Sequence, residues 1–263
     1  MGYGVPHNLA TAVRWYRFAA EQGDASAQGL LGFFYASGKG VPGDYATALK
    51  WYRLAAEQGD VSAQTAVKLG VFWFSADAED GDASAQHQLG IIYANGVGVQ
   101  QNLATAVKWY RRAAEQGHAP SQFRLGASYA NGQGVRQNYE TAAKWYRRAA
   151  KQGDASAQNE LGIFLASGVG VPQNYVLAVR WYRFAAEQGY APAQFRLGVS
   201  YANGQGVPQD NVYAHLWWNL SASNGNEDAS EHRDILERKM AAVEISAAQK
   251  LARECVRKRY KDC

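Results

Sequence analysis

Histidine is the first residue type to test for chemistry, and the chain has five: His7, His87, His118, His215 and His232. No two stand at i,i+3 or i,i+4, the spacing by which one helix face offers two imidazoles to a metal, so no metal site is expected. Ser-x-x-Lys, Gly-x-Ser-x-Gly and His-Glu-x-x-His, which activate a serine or seat a zinc ion, do not occur. The run Gly38-Lys-Gly-Val-Pro-Gly43 fits Gly-x-Gly-x-x-Gly. It joins two helical patterns instead of following a strand, so it reads as a turn and not as a phosphate cradle. No catalytic residue and no cofactor are expected. A second chemistry, tracking of phosphates, needs cations interleaved with aromatics. Lys50-Trp-Tyr-Arg53 recurs as Lys108-Trp-Tyr-Arg-Arg112, Lys144-Trp-Tyr-Arg-Arg148 and Arg180-Trp-Tyr-Arg183. Glu57, Glu115 and Glu187 dilute that charge, and the favoured reading is a solvated face whose Lys and Arg stems cover packing aromatics.

What must position any site is a repeat. Asp-Ala-Ser-Ala-Gln opens segments at Asp24, Asp82 and Asp154, with variants at Asp60, His118 and Tyr190; from residue 82 the starts step by 36 residues. Such self-similarity marks an array of supersecondary units. In 24–59, Asp24 is a helix N-cap, and Ala27, Leu31 and Tyr35 form an inward stripe with Gln28 and Gly32 alongside. Gly38 and Gly40 break that helix, Asp44 caps a second one presenting Ala48, Tyr52 and Ala55, and Gly59 ends it. The second cap recurs as Asn8, Asn102, Asn138, Asn174 and Asp210. A mid-helix glycine recurs as Gly32, Gly90, Gly126, Gly162 and Gly198. Its cost in a helix implies close helix approach.

Within the first helices, two positions vary: Gly29-Leu30, His87-Gln88, Phe123-Arg124, Asn159-Glu160 and Phe195-Arg196. Residues 118–153 and 190–225 share Gln-Phe-Arg-Leu-Gly-x-Ser-Tyr-Ala-Asn-Gly-Gln-Gly-Val. Aromatics beside arginine are common anchors of interaction sites; the competing account is a duplicated packing phenylalanine. His87, Gln88, Phe123, Arg124, Asn159, Glu160, Phe195 and Arg196 are the partner-binding candidates.

Composition sets outer bounds. With 47% hydrophobic and 19% charged residues the chain is globular, and a net charge of +4 is too weak by itself to argue for nucleic acid. Two cysteines exclude a disulfide-stapled miniature scaffold. Cys255 shares a stripe with Ile245, Ala248 and Ala252 and is expected to be a buried thiol, with Cys263 free. The run from Lys250 to Lys261 reads as the polar outer face of a terminal cap. No apolar stretch is long enough for a membrane span. No signal peptide is visible, but Gly2-Tyr-Gly-Val-Pro6 aligns with Gly38-Lys-Gly-Val-Pro42, so the sequence starts within a repeat and the compartment is left open, cytoplasmic or periplasmic/secreted.

Leu-Gly-x-x-Tyr followed by Ala-x-x-x-Tyr-x-x-Ala resembles the tetratricopeptide template, with a longer Gly-x-Gly-Val-Pro connection. Together with Trp-Tyr-Arg-x-Ala-Ala-Glu-Gln-Gly it is similar to the Sel1-like repeat, over residues 2–225. Ala214-His-Leu-Trp-Trp-Asn-Leu-Ser-Ala222, Met240 and Ile245 to Ala252 resemble the closing cap of bacterial members, with Ala241-Ala242 where Thr-Pro is usual. The resemblance implies an all-α, right-handed α-solenoid of antiparallel helix pairs with a C-terminal helical cap. The expected organisation is a partial unit 2–23, then 24–59, a shortened 60–81, 82–117, 118–153, 154–189, 190–225, and a cap at 226–263. In 60–81, Thr65–Phe72 is expected to run as one continuous helix. By analogy with tetratricopeptide arrays, at least the first of each variable pair faces the concave groove. The implied function is a non-enzymatic scaffold binding a protein or peptide there, monomeric while the array is intact. Two other classes are carried. One is a cell-wall or β-lactam-binding protein with weak hydrolytic activity, a role linked to cysteine-rich Sel1-like proteins whose cysteine pair per repeat this chain lacks. The other is an anionic-surface binder, for nucleic acid or lipid, using the basic second helices.

Overall fold

The computed structural model of the protein describes residues 9–63, 65, 71, 75, 77–96, 99–261 and 263. Among these residues every regular element is helical. Two compact units divide the chain, Met1–Ala113 and Ala114–Cys263. The first holds α1 (Leu9–Glu21), α2 (Ala25–Ser37), α3 (Tyr45–Glu57), α4 (Ala83–Asn95) and most of α5 (Leu103–Glu115). The second holds α6 (Ala119–Asn131), α7 (Tyr139–Lys151), α8 (Ala155–Ser167), α9 (Tyr175–Ala186), α10 (Ala191–Asn203), α11 (Asn211–Ser223), α12 (Glu227–Glu237) and α13 (Ala242–Arg257). From α6 to α11 each helix packs on the next, as antiparallel hairpins stacked in series require. The cap expected at Asn8 and most of the continuous helix expected over Thr65–Phe72 lie outside the described residues.

Short polar side chains start these helices. Asp24, Asp82 and Asp154 accept the backbone N–H of Ala27, Ala85 and Ala157 at 2.6, 2.6 and 2.7 Å. The second helices begin the same way: Asn102, Asn138 and Asn174 accept from Thr105, Thr141 and Leu177 at 2.9, 2.8 and 2.9 Å. Each such cap contributes about 1 kcal/mol. The hairpin closes around Leu31, Leu89, Leu125, Leu161 and Leu197, all fully buried. Next to each sits the mid-helix glycine, and the reason for its recurrence is steric. A Cβ on Gly162 would stand 2.5 Å from the Tyr182 ring, and one on Gly198 would stand 2.4 Å from the Trp218 indole. Any side chain there forces the two helices apart.

A buried glutamine stitches consecutive units together. Gln122, Gln158 and Gln194 donate through Nε2 to the carbonyls of Ala114, Ala150 and Ala186 at 3.0, 3.1 and 3.2 Å. Their Oε1 atoms accept from Gln152, Gln188 and Asn224 at 2.7, 2.8 and 2.9 Å. The same pair of bonds holds Gln28, to the Ala20 carbonyl at 3.1 Å and from Gln58 at 2.8 Å. Both ends of each amide are thus satisfied in the core, as burial demands.

The last units are closed by α12 and α13, both packed on α11. Trp217, Leu220 and His215 are almost wholly buried beneath them, and His215 Nε2 lies 2.6 Å from Glu237 Oε1. Helix α13 starts at Ala241, which has no oxygen to cap with; Glu244 accepts the Ala241 N–H at 2.8 Å instead. One expectation is corrected here. Cys255 is buried, but it is no free thiol and Cys263 is not free: the two form a disulfide. The chain doubles back after α13 through Arg259 and Tyr260, at φ 53° and 65°, which brings the last residue onto the helix it has just left. Tyr260 meanwhile donates to Asn224 Oδ1 at 3.2 Å.

Candidate functional site

The variable pairs occupy the same register of successive first helices. His87 and Gln88, on α4, are half-buried, and the His87 ring centroid lies 5.8 Å from that of Tyr110. The remaining candidates all fall in the second unit. Phe123 is half-buried with its ring 5.7 Å from Tyr146. Phe195 meets His232 edge-on at 5.0 Å, and its carbonyl accepts the Trp218 indole N–H at 3.2 Å. Both phenylalanines therefore pack against their neighbours and keep only part of their rings in solvent. Arg124 and Arg196 are exposed.

Between these two units α8 presents Asn159 and Glu160 instead of phenylalanine and arginine. Asn159 is buried, its Nδ2 donates to Glu160 Oε1 at 3.2 Å, and its Oδ1 accepts no bond from the described residues. Burial raises the Glu160 carboxyl above its ordinary range; the Asn159 hydrogen bond and the Arg196 charge oppose that shift. The same carboxylate helps raise two phenols. Tyr182 is pushed up to about 12, chiefly by burial, with Arg196 lowering it and Glu160 raising it. Tyr146 is raised by burial and then by Glu160. Glu160, Arg196, Tyr146 and Tyr182 are thus one electrostatic neighbourhood spread over α7, α8, α9 and α10. Sequence reasoning singled out Glu160 and Arg196 but missed the tyrosines; their recurrence opposite the mid-helix glycine was the available signal.

The basic second helices are differently engaged. Arg112 and Arg148 lie over the rings of Trp109 and Trp145 at 4.6 Å each. Arg183 donates to the Tyr201 hydroxyl at 2.7 Å, and Lys144 pairs with Glu140 at 2.6 Å. These cations are largely committed to aromatic and carboxylate neighbours of the same chain. Among the described residues, no group of three or more His, Cys, Asp or Glu is placed to hold a metal ion, and no helix is long and apolar enough to cross a membrane.

Stacked helix hairpins bearing a variable, mixed polar and aromatic register define an α-solenoid of the repeat-protein class. The chain belongs to the Sel1 repeat family, whose profile matches residues 1–24, 25–60, 83–118, 119–154, 155–190 and 191–226. It is similar to the crystal structure of a Sel1 repeat protein from Oxalobacter formigenes, with 34% identity, 87% of each chain covered and a TM-score of 0.57. A protective antigen of uropathogenic Escherichia coli with the same repeat fold is 27% identical over 98% of this chain and 83% of its own, at a TM-score of 0.45. No curated protein sequence matches the chain. Proteins built from Sel1 repeats typically serve as protein-interaction scaffolds and are generally not catalysts.

Proposed function

We propose that the protein is a non-enzymatic adaptor that binds a protein or peptide segment along its first helices. The binding face of the second unit is centred on Phe123, Arg124, Asn159, Glu160, Phe195 and Arg196. The observation that carries this reading is the combination at one register: exposed arginines, half-exposed rings, and a carboxylate already partly stripped of water. Covering Glu160 with a partner removes more water from it, so a partner that supplies N–H donors there is favoured over one that does not. The half-exposed rings add apolar area at the same place.

The partner is captured from the native host with the intact array and its affinity measured for two double variants. Arg124→Ala with Arg196→Ala removes two exposed side chains and is expected to weaken binding by about tenfold or more, with only a small fall in melting temperature from the loss of the Arg196 charge beside Glu160. Phe123→Ala with Phe195→Ala is expected to lower both affinity and melting temperature, because these rings also pack. Unchanged affinity in both variants contradicts the reading.

A further inference from the structure

On α4 and on α6 the opening residue of the variable pair is a ring that lies against the tyrosine of the following helix. His87 covers Tyr110 and Phe123 covers Tyr146, at 5.8 and 5.7 Å between ring centroids. On α2 that register is held by Gly29, which brings no side chain to cover Tyr52. A cavity of about 420 Å³ opens there, lined among others by Gly29, Leu30, Phe33, Tyr52, Asp60 and Ala63. Leu30 and Phe33 are 42% and 45% exposed and offer apolar surface at its mouth. Asp60 is the charged member of the lining. Its Oδ1 caps the Ala63 N–H at 2.8 Å, while its Oδ2 stands 3.3 Å from where a Gly29 Cβ would be. The space left by the missing side chain is therefore bordered by a ring and a carboxylate oxygen.

We propose that this cavity receives an aromatic side chain of a protein partner, set over Tyr52 where the sister helices place their own ring, with an adjacent Lys or Arg of the same segment paired to Asp60. This rests on the reading that the first helices form the binding face. The ring supplies the tilted aromatic contact that the array itself makes at Tyr110 and Tyr146. The cation answers the carboxylate facing the space.

Saturation-transfer NMR on the full chain, with end-blocked tryptophan–lysine, tryptophan–glutamate and leucine–lysine dipeptides as probes, tests this. The tryptophan–lysine probe is expected to bind most tightly. Gly29→Phe copies the Phe123 arrangement and fills the cavity from within; it is expected to weaken that probe by about tenfold, the worth of one aromatic pair. Gly29→Asn, copying Asn159, is the second variant should the phenylalanine disturb folding, as judged by circular dichroism. Asp60→Asn keeps the cap and is expected to erase the preference for lysine over glutamate. Equal binding to the wild type and to a folded Gly29 variant overturns the proposal, as does leucine–lysine binding as well as tryptophan–lysine. Neither result bears on the paired-arginine test in the second unit, so the two readings fail separately.

Discussion

Glu160 carries the sharpest residue-level consequence. Burial raises its carboxyl above the ordinary 4.5, against the opposing effects of Asn159 and Arg196. The folded chain then holds that proton more tightly than the unfolded chain does. The favourable contribution is present in acid and is lost as pH rises through the raised value, so at neutral pH the ionised side chain costs stability. Glu160→Gln is expected to raise the urea midpoint at neutral pH, with the gain over wild type vanishing as the pH falls below the unfolded carboxyl range. A midpoint unchanged at neutral pH means that the carboxylate is better solvated than its surroundings indicate. Retaining a costly carboxylate beside Arg196 fits a residue kept for recognition and not for folding. The candidate pairs were legible as variation against a constant frame. What each side chain does was not, because Phe123 and Phe195 are at once packed and partly exposed, and no spacing rule separates the two roles.

At the scale of the element, caps and terminating glycines made the hairpins readable, since each acts within a few residues of chain. His118 shows the limit: it takes the aspartate position and accepts the Ser121 N–H through Nδ1 at 3.3 Å, whereas Tyr190 in that position makes no side-chain cap. The glutamine stitch joins residues 30 apart, and only the recurrence of both partners hinted at it. The disulfide was missed for a physical reason. A helical stripe explains why Cys255 is buried, but the return of the chain through Arg259 and Tyr260 depends on backbone at positive φ that L-residues seldom adopt. Closing so short a loop limits the unfolded ensemble by about 2 kcal/mol. Cys263→Ser is therefore expected to lower the denaturation midpoint of the second unit, and reductant is expected to bring the wild type down to the same value. A wild-type midpoint indifferent to reductant contradicts that role.

For the molecule as a whole, stability in a repeat array is a sum of units and nearest-neighbour interfaces, and an end left open exposes an interface built for a neighbour. In the second unit that open end is α11. Its Trp217, Trp218 and Leu220 are 0%, 5% and 2% exposed, and α12 and α13 are the elements packed on it beyond α10. Asn226 stands 36 residues after Tyr190 and caps α12 as the aspartates cap the first helices, accepting the Ala229 N–H at 3.0 Å. Asn224 likewise continues the glutamine stitch to Gln194. The cap thus begins as one more repeat and ends differently, with an outer helix that has no aromatic residue in place of one built around Trp-Tyr. Removing 226–263 uncovers His215 along with the large apolar side chains. Each large apolar side chain returned to water costs roughly 1.5–3 kcal/mol, and a contiguous patch of that kind drives association. The truncated chain is expected to melt at a lower temperature and to self-associate, measured by light scattering across a concentration series. A chain that stays monomeric at high concentration with an unchanged melting temperature shows that α11 does not need this cover, and that α12 and α13 serve some end other than closing the array.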